Sequence, residues 1–171
     1  MKLHLPSPNS DGNGKLPHVW FSREHIATEA LRRAAASCAS EMPCARNAPR
    51  VVVFTVEGER HTLGLSLEDL VLVEAGWRVV WLGEGPPLAE LNPLIPKLKP
   101  DLLIVSASTW SSQSVIARYQ AELMRVTSRH RIPVVLGGAG LWAAARGAHR
   151  IITFGKLHSF LVRMQWRART K

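Results

Sequence analysis

From Val51 onward the chain alternates short β-branched, apolar runs with longer helix-patterned stretches, and this alternation constrains the fold more than any other feature. The short runs are Val51–Val56, Trp77–Leu82, Asp101–Ser106, Pro133–Leu136 and Arg150–Phe154. Each is too short for a stable helix, and most are apolar nearly throughout, the pattern of strands buried on both faces. Between them lie helical stretches. Leu65–Ala75 is closed by Gly76, and Leu88–Leu98 follows Pro86-Pro87 and is expected to be short or irregular because of Pro93 and Pro96. A third helix, capped by Ser111 or Ser112, runs to about Arg129. Leu141–Ala148 reads as a short helix. Lys156–Arg167 reads as the last, with Leu157, Phe160, Leu161 and Met164 at helical spacing.

Strands alternating with helices imply a parallel sheet covered on both faces. Right-handed crossovers then give a flavodoxin-like (Rossmann-type) doubly wound α/β sheet of five strands in the order 2-1-3-4-5. In such sheets ligands bind outside the carboxyl ends of the strands, where the strand order reverses. The first strand leads there into the polar turn Glu57-Gly58-Glu59-Arg60-His61-Thr62-Leu63-Gly64. The same edge receives Ser106 and Ser108 at the end of the third strand and Gly137-Gly138 at the end of the fourth, with Trp110 just beyond.

Glu59-x-His61-x-x-Gly64 after a first strand resembles the axial-ligand motif of cobalamin-binding domains. The resemblance continues through Leu82-Gly83, Ser106-x-Ser108 and Gly137-Gly138, and covers about residues 50 to 150. It implies that the cofactor binds with its own benzimidazole base displaced and His61 on cobalt. Glu59, Thr62, Leu63, Gly64, Ser106, Ser108, Trp110, Gly137 and Gly138 would line its site. A neutral imidazole is a good ligand for such a metal, and a carboxylate on its second nitrogen orients the ring and raises its basicity, a role open to Glu59. Gly64 leaves room for a macrocycle. A nucleotide tail would slide between strand one and helix one, past the serines and glycines. The family often has Leu or Thr where this chain has Ser108.

The wording Gly58-Glu59-Arg60-His61-x-Leu63-Gly64 is most similar to the light-sensing transcriptional regulator branch, the photosynthesis-antirepressor type. Corrinoid methyltransferase subunits and mutases tend to place Asp after the ligand histidine, to relay a proton, where this chain has Thr62. In the light-sensing branch a helical bundle covers the upper face of the corrin, and its last helix resembles Glu24-His25-Ile26-Ala27-x-x-Ala30-Leu31. The branch places a Trp ten residues before that Glu. Gly14 stands there, and Trp20 becomes the candidate lid. Trp20, Glu24 and His25 are therefore candidate upper-face residues, with His25 or His18 as a second imidazole for a vacated upper position.

Residues 1–17 read as a flexible lead-in, 18–49 as an N-terminal helix and linker, and 50–171 as the cobalamin-binding domain. The first helix is expected to carry an apolar stripe at Ala27, Leu31, Ala34 and Cys38. A length of 171 residues with 46% hydrophobic residues supports a folded core. No apolar run approaches the ~20 residues of a membrane span, and the N-terminus lacks a secretory pattern. Cys38 and Cys44 have no metal-ligand spacing, so a reduced cytoplasmic setting is expected.

The formal charge of +9 points to an acidic partner, nucleic acid or protein. No helix-turn-helix or zinc-finger pattern is visible, so output through a transcription-factor partner is expected ahead of direct DNA contact. A receiver domain is excluded by Ser106 in place of an Asp at the end of strand three. A nucleophile elbow and a Walker loop are both missing. The expected protein is a non-enzymatic regulator holding adenosylcobalamin, methylcobalamin or hydroxocobalamin. The alternative is a corrinoid-carrying subunit of a methyltransferase or mutase.

Overall fold

The computed structural model describes residues 18–169, and the side chains of 23–87 and 89–164. The lead-in expected over 1–17 and the side chains of His18 and Trp20 lie outside the described residues. The elements run α1 (His18–Glu41), β1 (Arg50–Thr55), α2 (Leu63–Glu74), β2 (Arg78–Gly83), α3 (Leu88–Leu98), β3 (Leu102–Ser106), α4 (Gln113–His130), β4 (Val134–Gly137), β5 (Ala148–Arg150) and α5 (Phe154–Arg169).

The five strands form one parallel sheet in the order β2-β1-β3-β4-β5, as expected. Successive strand side chains point to opposite faces, so the apolar strands feed two cores. On one face Val52, Phe54, Leu103, Val105, Val134 and Leu136 pack with residues of α3 and α4. On the other, Val51, Val53, Leu102, Ile104 and Val135 pack with Leu65 and Leu72 of α2 and Leu157 and Leu161 of α5. The register matters for function: Thr55 pairs with Ser106, and Ser106 pairs with Gly137. These three residues make one row across the carboxyl ends of the central strands.

Several local expectations need correction. The stripe Ala27, Leu31, Ala34 and Cys38 is exposed, and α1 instead buries Ala35 and Ala39 where it packs on α2. Small side chains four residues apart let two helices approach closely, so the contact uses alanines rather than the larger Leu31. The segment Leu141–Ala148 does not form a helix. Gln120 of α4 bonds both the amide and the carbonyl of Ala143, at 3.0 and 2.6 Å, and the Trp142 indole donates to the Gly137 carbonyl at 2.8 Å. These side-chain bonds satisfy backbone groups that a helix would otherwise pair. β5 spans only three residues, and Phe154 begins α5 rather than ending a strand. The Ile151-Ile152 run imitates a strand, but Ile152 is exposed. Ser112, not Ser111, caps α4 by accepting from the Val115 amide at 3.3 Å. Pro93 and Pro96 leave α3 its full expected span.

Candidate functional site

The site begins where β1 ends. Gly58 has φ +77°, a left-handed conformation that glycine adopts without strain, and it turns the chain so that the Glu59 amide donates to the Val56 carbonyl at 3.1 Å. The buried Thr55 hydroxyl pins this turn, donating to the Glu59 carbonyl at 3.1 Å and accepting from the Gly85 amide at 3.0 Å. Glu59 is consequently fixed with its carboxylate inside, only 4% exposed.

A buried carboxylate must be satisfied or neutralised. Glu59 is satisfied. Its Oε1 accepts from the His61 amide at 2.8 Å and lies 2.6 Å from the His61 Nδ1. Its Oε2 accepts from the Ser108 amide at 2.8 Å, the Ser108 hydroxyl at 2.5 Å and the Ser111 hydroxyl at 2.7 Å. Burial alone would raise its pKa, but the hydrogen bonds from Ser108, Ser111 and the His61 amide outweigh burial and hold it at about 2. The carboxylate is therefore ionised at neutral pH. An ionised acceptor beside Nδ1 places the imidazole proton on Nδ1 and leaves the Nε2 lone pair free to ligate a metal. The imidazole itself is 60% exposed. Trp110, 81% exposed, lies beside it with ring centroids 6.1 Å apart and planes 15° from parallel.

Residues from two distant chain segments thus meet at one imidazole. The β3–α4 loop supplies Ser108, Trp110 and Ser111, and the β1–α2 turn supplies Glu59 and His61. Ser111 was read from the sequence only as a helix cap. Its hydroxyl role is set by tertiary contact, which local pattern does not carry. Ser108, expected to meet the nucleotide tail, is committed to Glu59 by both its amide and its hydroxyl. The resemblance also made position 62 the place of a proton-relaying carboxylate. In the structure the carboxylate touching His61 comes from Glu59. The Thr62 carbonyl accepts from the Ser66 amide at 2.9 Å at the start of α2. Leu63 is half-buried, and Gly64 is exposed with open space where a Cβ would stand.

The glycine edge is built differently. Gly138 has φ +72°, and a Cβ there would sit 2.2 Å from the Ala107 carbonyl oxygen. Gly140 donates to that same carbonyl at 2.8 Å. Arg150, unnoticed in the sequence, clamps the loop by donating to the carbonyls of Leu136, Gly138 and Gly140 at 2.8, 2.6 and 3.2 Å. Ser106 lies in the same row, with its hydroxyl 2.7 Å from the position a Gly138 Cβ would take. Glu24 and His25 lie exposed in the N-terminal half of α1, whereas α1 buries its alanines further along.

Among the described residues no three His, Cys, Asp or Glu side chains converge to cage a bare metal ion. The His61 site can give one nitrogen, which suits a metal whose other positions are filled by a macrocycle. Among the same residues no helix is long and apolar enough to cross a membrane.

No protein-family model matches the chain. It is 28% identical over 119 residues to the HTH-type transcriptional repressor CarA of Myxococcus xanthus, covering 70% of this chain and 41% of the repressor. It is 27% identical over 138 residues to trimethylamine corrinoid protein 1 of Methanosarcina acetivorans, covering 78% and 62%. It is 30% identical over 92 residues to methionine synthase of Mycobacterium tuberculosis, covering 54% of this chain and 8% of the synthase. The matched stretch is less than two thirds of each relative's length. Its fold is that of a chain in the methanol:cobalamin methyltransferase complex MtaBC of Methanosarcina barkeri, with a TM-score of 0.56 at 18% identity, covering 79% of this chain and 54% of that one. The α/β part of this chain is thus similar in sequence to a transcriptional repressor and to corrinoid proteins, and it shares its fold with a chain of a methanol:cobalamin methyltransferase complex.

Proposed function

We propose that this chain binds cobalamin with His61 as the lower ligand of cobalt and acts as a regulatory protein that passes a light or ligand signal to a transcription factor. The observation that carries the binding half is the Glu59–His61 pair: a buried, ionised carboxylate holding an exposed imidazole by Nδ1. Ser108 and Ser111 keep that carboxylate charged and fixed, so the ring does not need to reorganise on binding. Trp110 walls one face of the ring. Gly64 leaves the surface beside it open, and Gly137-Gly138 keep the sheet edge low.

When bound, the corrinoid supplies a labile upper ligand that light or a nucleophile can remove. The chain's own residues hold the lower side. Glu59 orients His61, and the Ser108 and Ser111 hydroxyls buffer changes in charge at that carboxylate. The upper-face role assigned to Trp20, Glu24 and His25 belongs to this proposal. The regulatory half is supported by the 28% identity to a transcriptional repressor and by the +9 charge, which suits an acidic partner or DNA.

The second reading is a corrinoid-carrying subunit in a methyltransferase. The trimethylamine corrinoid proteins favour it. Absorption spectra separate the two. A regulator loaded with adenosyl- or methylcobalamin changes its spectrum and its partner or DNA binding on illumination. A carrier instead accepts a methyl group in the presence of a corrinoid-reducing system and is indifferent to light beyond free-cofactor photolysis.

A further inference from the structure

Glu68 lies on α2, five residues after its first residue and so about 7.5 Å along the helix axis. Its side chain points toward the carboxyl edge of the sheet, where Oε1 is 3.4 Å from the place a Gly137 Cβ would occupy. The Ser106 hydroxyl is 3.9 Å from that same place. A carboxyl from α2, a hydroxyl from β3 and a bare glycine from β4 therefore meet below the His61 turn. Glu68 Oε2 is buried and has no hydrogen-bond partner. Buried polar atoms are nearly always satisfied, and one left open at a binding edge calls for a partner that arrives with the ligand. Among the described residues no cation pairs with it, and burial pushes its pKa up to about 7, so a neutral O–H form is accessible near neutral pH. Glutamate on the sheet-facing side of a helix otherwise costs stability and gives nothing back.

We propose that Glu68 reads the nucleotide tail of the corrinoid: its buried, unpartnered carboxyl oxygen hydrogen-bonds a ring nitrogen of the tail's base, so the chain selects corrinoids whose lower base carries such a nitrogen. This rests on the proposed base-displaced binding, which frees that nitrogen from cobalt. The tail enters between α2 and the ends of β3 and β4. Ser106 gives it polar contact, and Glu68, seated against Gly137, supplies the donor. A base of similar size without a ring nitrogen fills the same space and leaves the carboxyl unpaired, which is the discrimination a polar site achieves best.

The test uses the full chain and three corrinoids: cobalamin, a cobamide whose lower base is cresol, and tailless cobinamide. Affinities and spectra are measured for wild type, Glu68→Gln and Glu68→Leu, with thermal melts to confirm folding. Wild type is expected to bind cobalamin at least tenfold more tightly than the cresol cobamide. Glu68→Gln, which keeps an N–H donor, should retain most of that preference. Glu68→Leu should bind the two alike while its affinity for cobinamide stays unchanged. A Leu variant that keeps the full preference, or a wild type that binds all three alike with a histidine-ligated spectrum, overturns the role of Glu68 and leaves the cobalamin reading standing. If wild type takes up none of the three, the cobalamin reading fails and this role falls with it.

Discussion

Glu59 and His61 are separated by one residue in the chain, and their side chains meet at 2.6 Å, Oε1 to Nδ1, with the carboxylate buried and the ring exposed. Three hydrogen bonds from Ser108 and Ser111 anchor the other carboxylate oxygen. The pair is therefore a rigid mount for a single ligating nitrogen. Removing the mount should weaken metal binding without removing the ligand. Glu59→Gln is expected to reduce cobalamin affinity by roughly 10- to 100-fold, the usual cost of losing such an outer partner. Titration of the absorption spectrum checks this, and an affinity within twofold of wild type would contradict it.

The same carboxylate ties stability to pH. Its folded pKa, about 2, lies below the ordinary value of 4.5. The ionised form is therefore favoured in the fold, and its stabilisation is complete above about pH 4.5 and lost as pH falls toward 2. The expected loss is at most about 3 kcal/mol over that window. Denaturant melts at pH 5 and pH 3 for wild type and Glu59→Gln measure it: the wild type should lose more stability than the variant.

Glu68 has the opposite sign. Burial raises its pKa from 4.5 to about 7, so the folded state holds the proton more tightly than the unfolded one. The cost is absent below pH 4.5, grows through the window and is complete above pH 7, reaching roughly 3 kcal/mol at most. Glu68→Gln should therefore stabilise the cofactor-free protein at pH 8 and leave it nearly unchanged at pH 4. Equal effects at both values would show that the carboxyl is not held neutral by burial.

Gly138 tests the sheet edge. Its left-handed φ and the 2.2 Å approach of the Ala107 carbonyl to a built Cβ leave no room for alanine. Gly138→Ala is expected to cost about 2 kcal/mol or more, because both backbone strain and a clash with main-chain atoms arise. Gly64→Ala, with open space around its Cβ, should cost much less stability. Comparing the two melting temperatures checks the contrast.

The sheet was legible because Val51–Phe54 and Leu102–Val105 are buried on both faces and so leave unbroken apolar runs. The His61 turn was legible because its residues are contiguous. What local pattern missed came from contacts between distant segments. Ser111 bonds Glu59 across the fold, Gln120 prevents a helix at Ala143, and Arg150 reaches back to the glycine loop. Glu68 escaped notice for a related reason: in a helical pattern it reads as a solvent-facing residue, and only the sheet edge beside it reveals a buried oxygen. The stripe drawn on α1 failed because Ala35 and Ala39 contact α2 through small size, a signal that hydrophobic periodicity underweights.

The proposed bond from His61 to cobalt is tested directly by the absorption spectrum of purified protein mixed with cobalamin, comparing wild type with His61→Ala. Wild type should take up the cofactor with the spectrum of histidine-ligated, base-displaced cobalamin, and the alanine variant should lose that signature together with most of its affinity. Uptake and spectrum unchanged by the substitution, or no uptake by wild type, would contradict the assignment of His61 as the cobalt ligand.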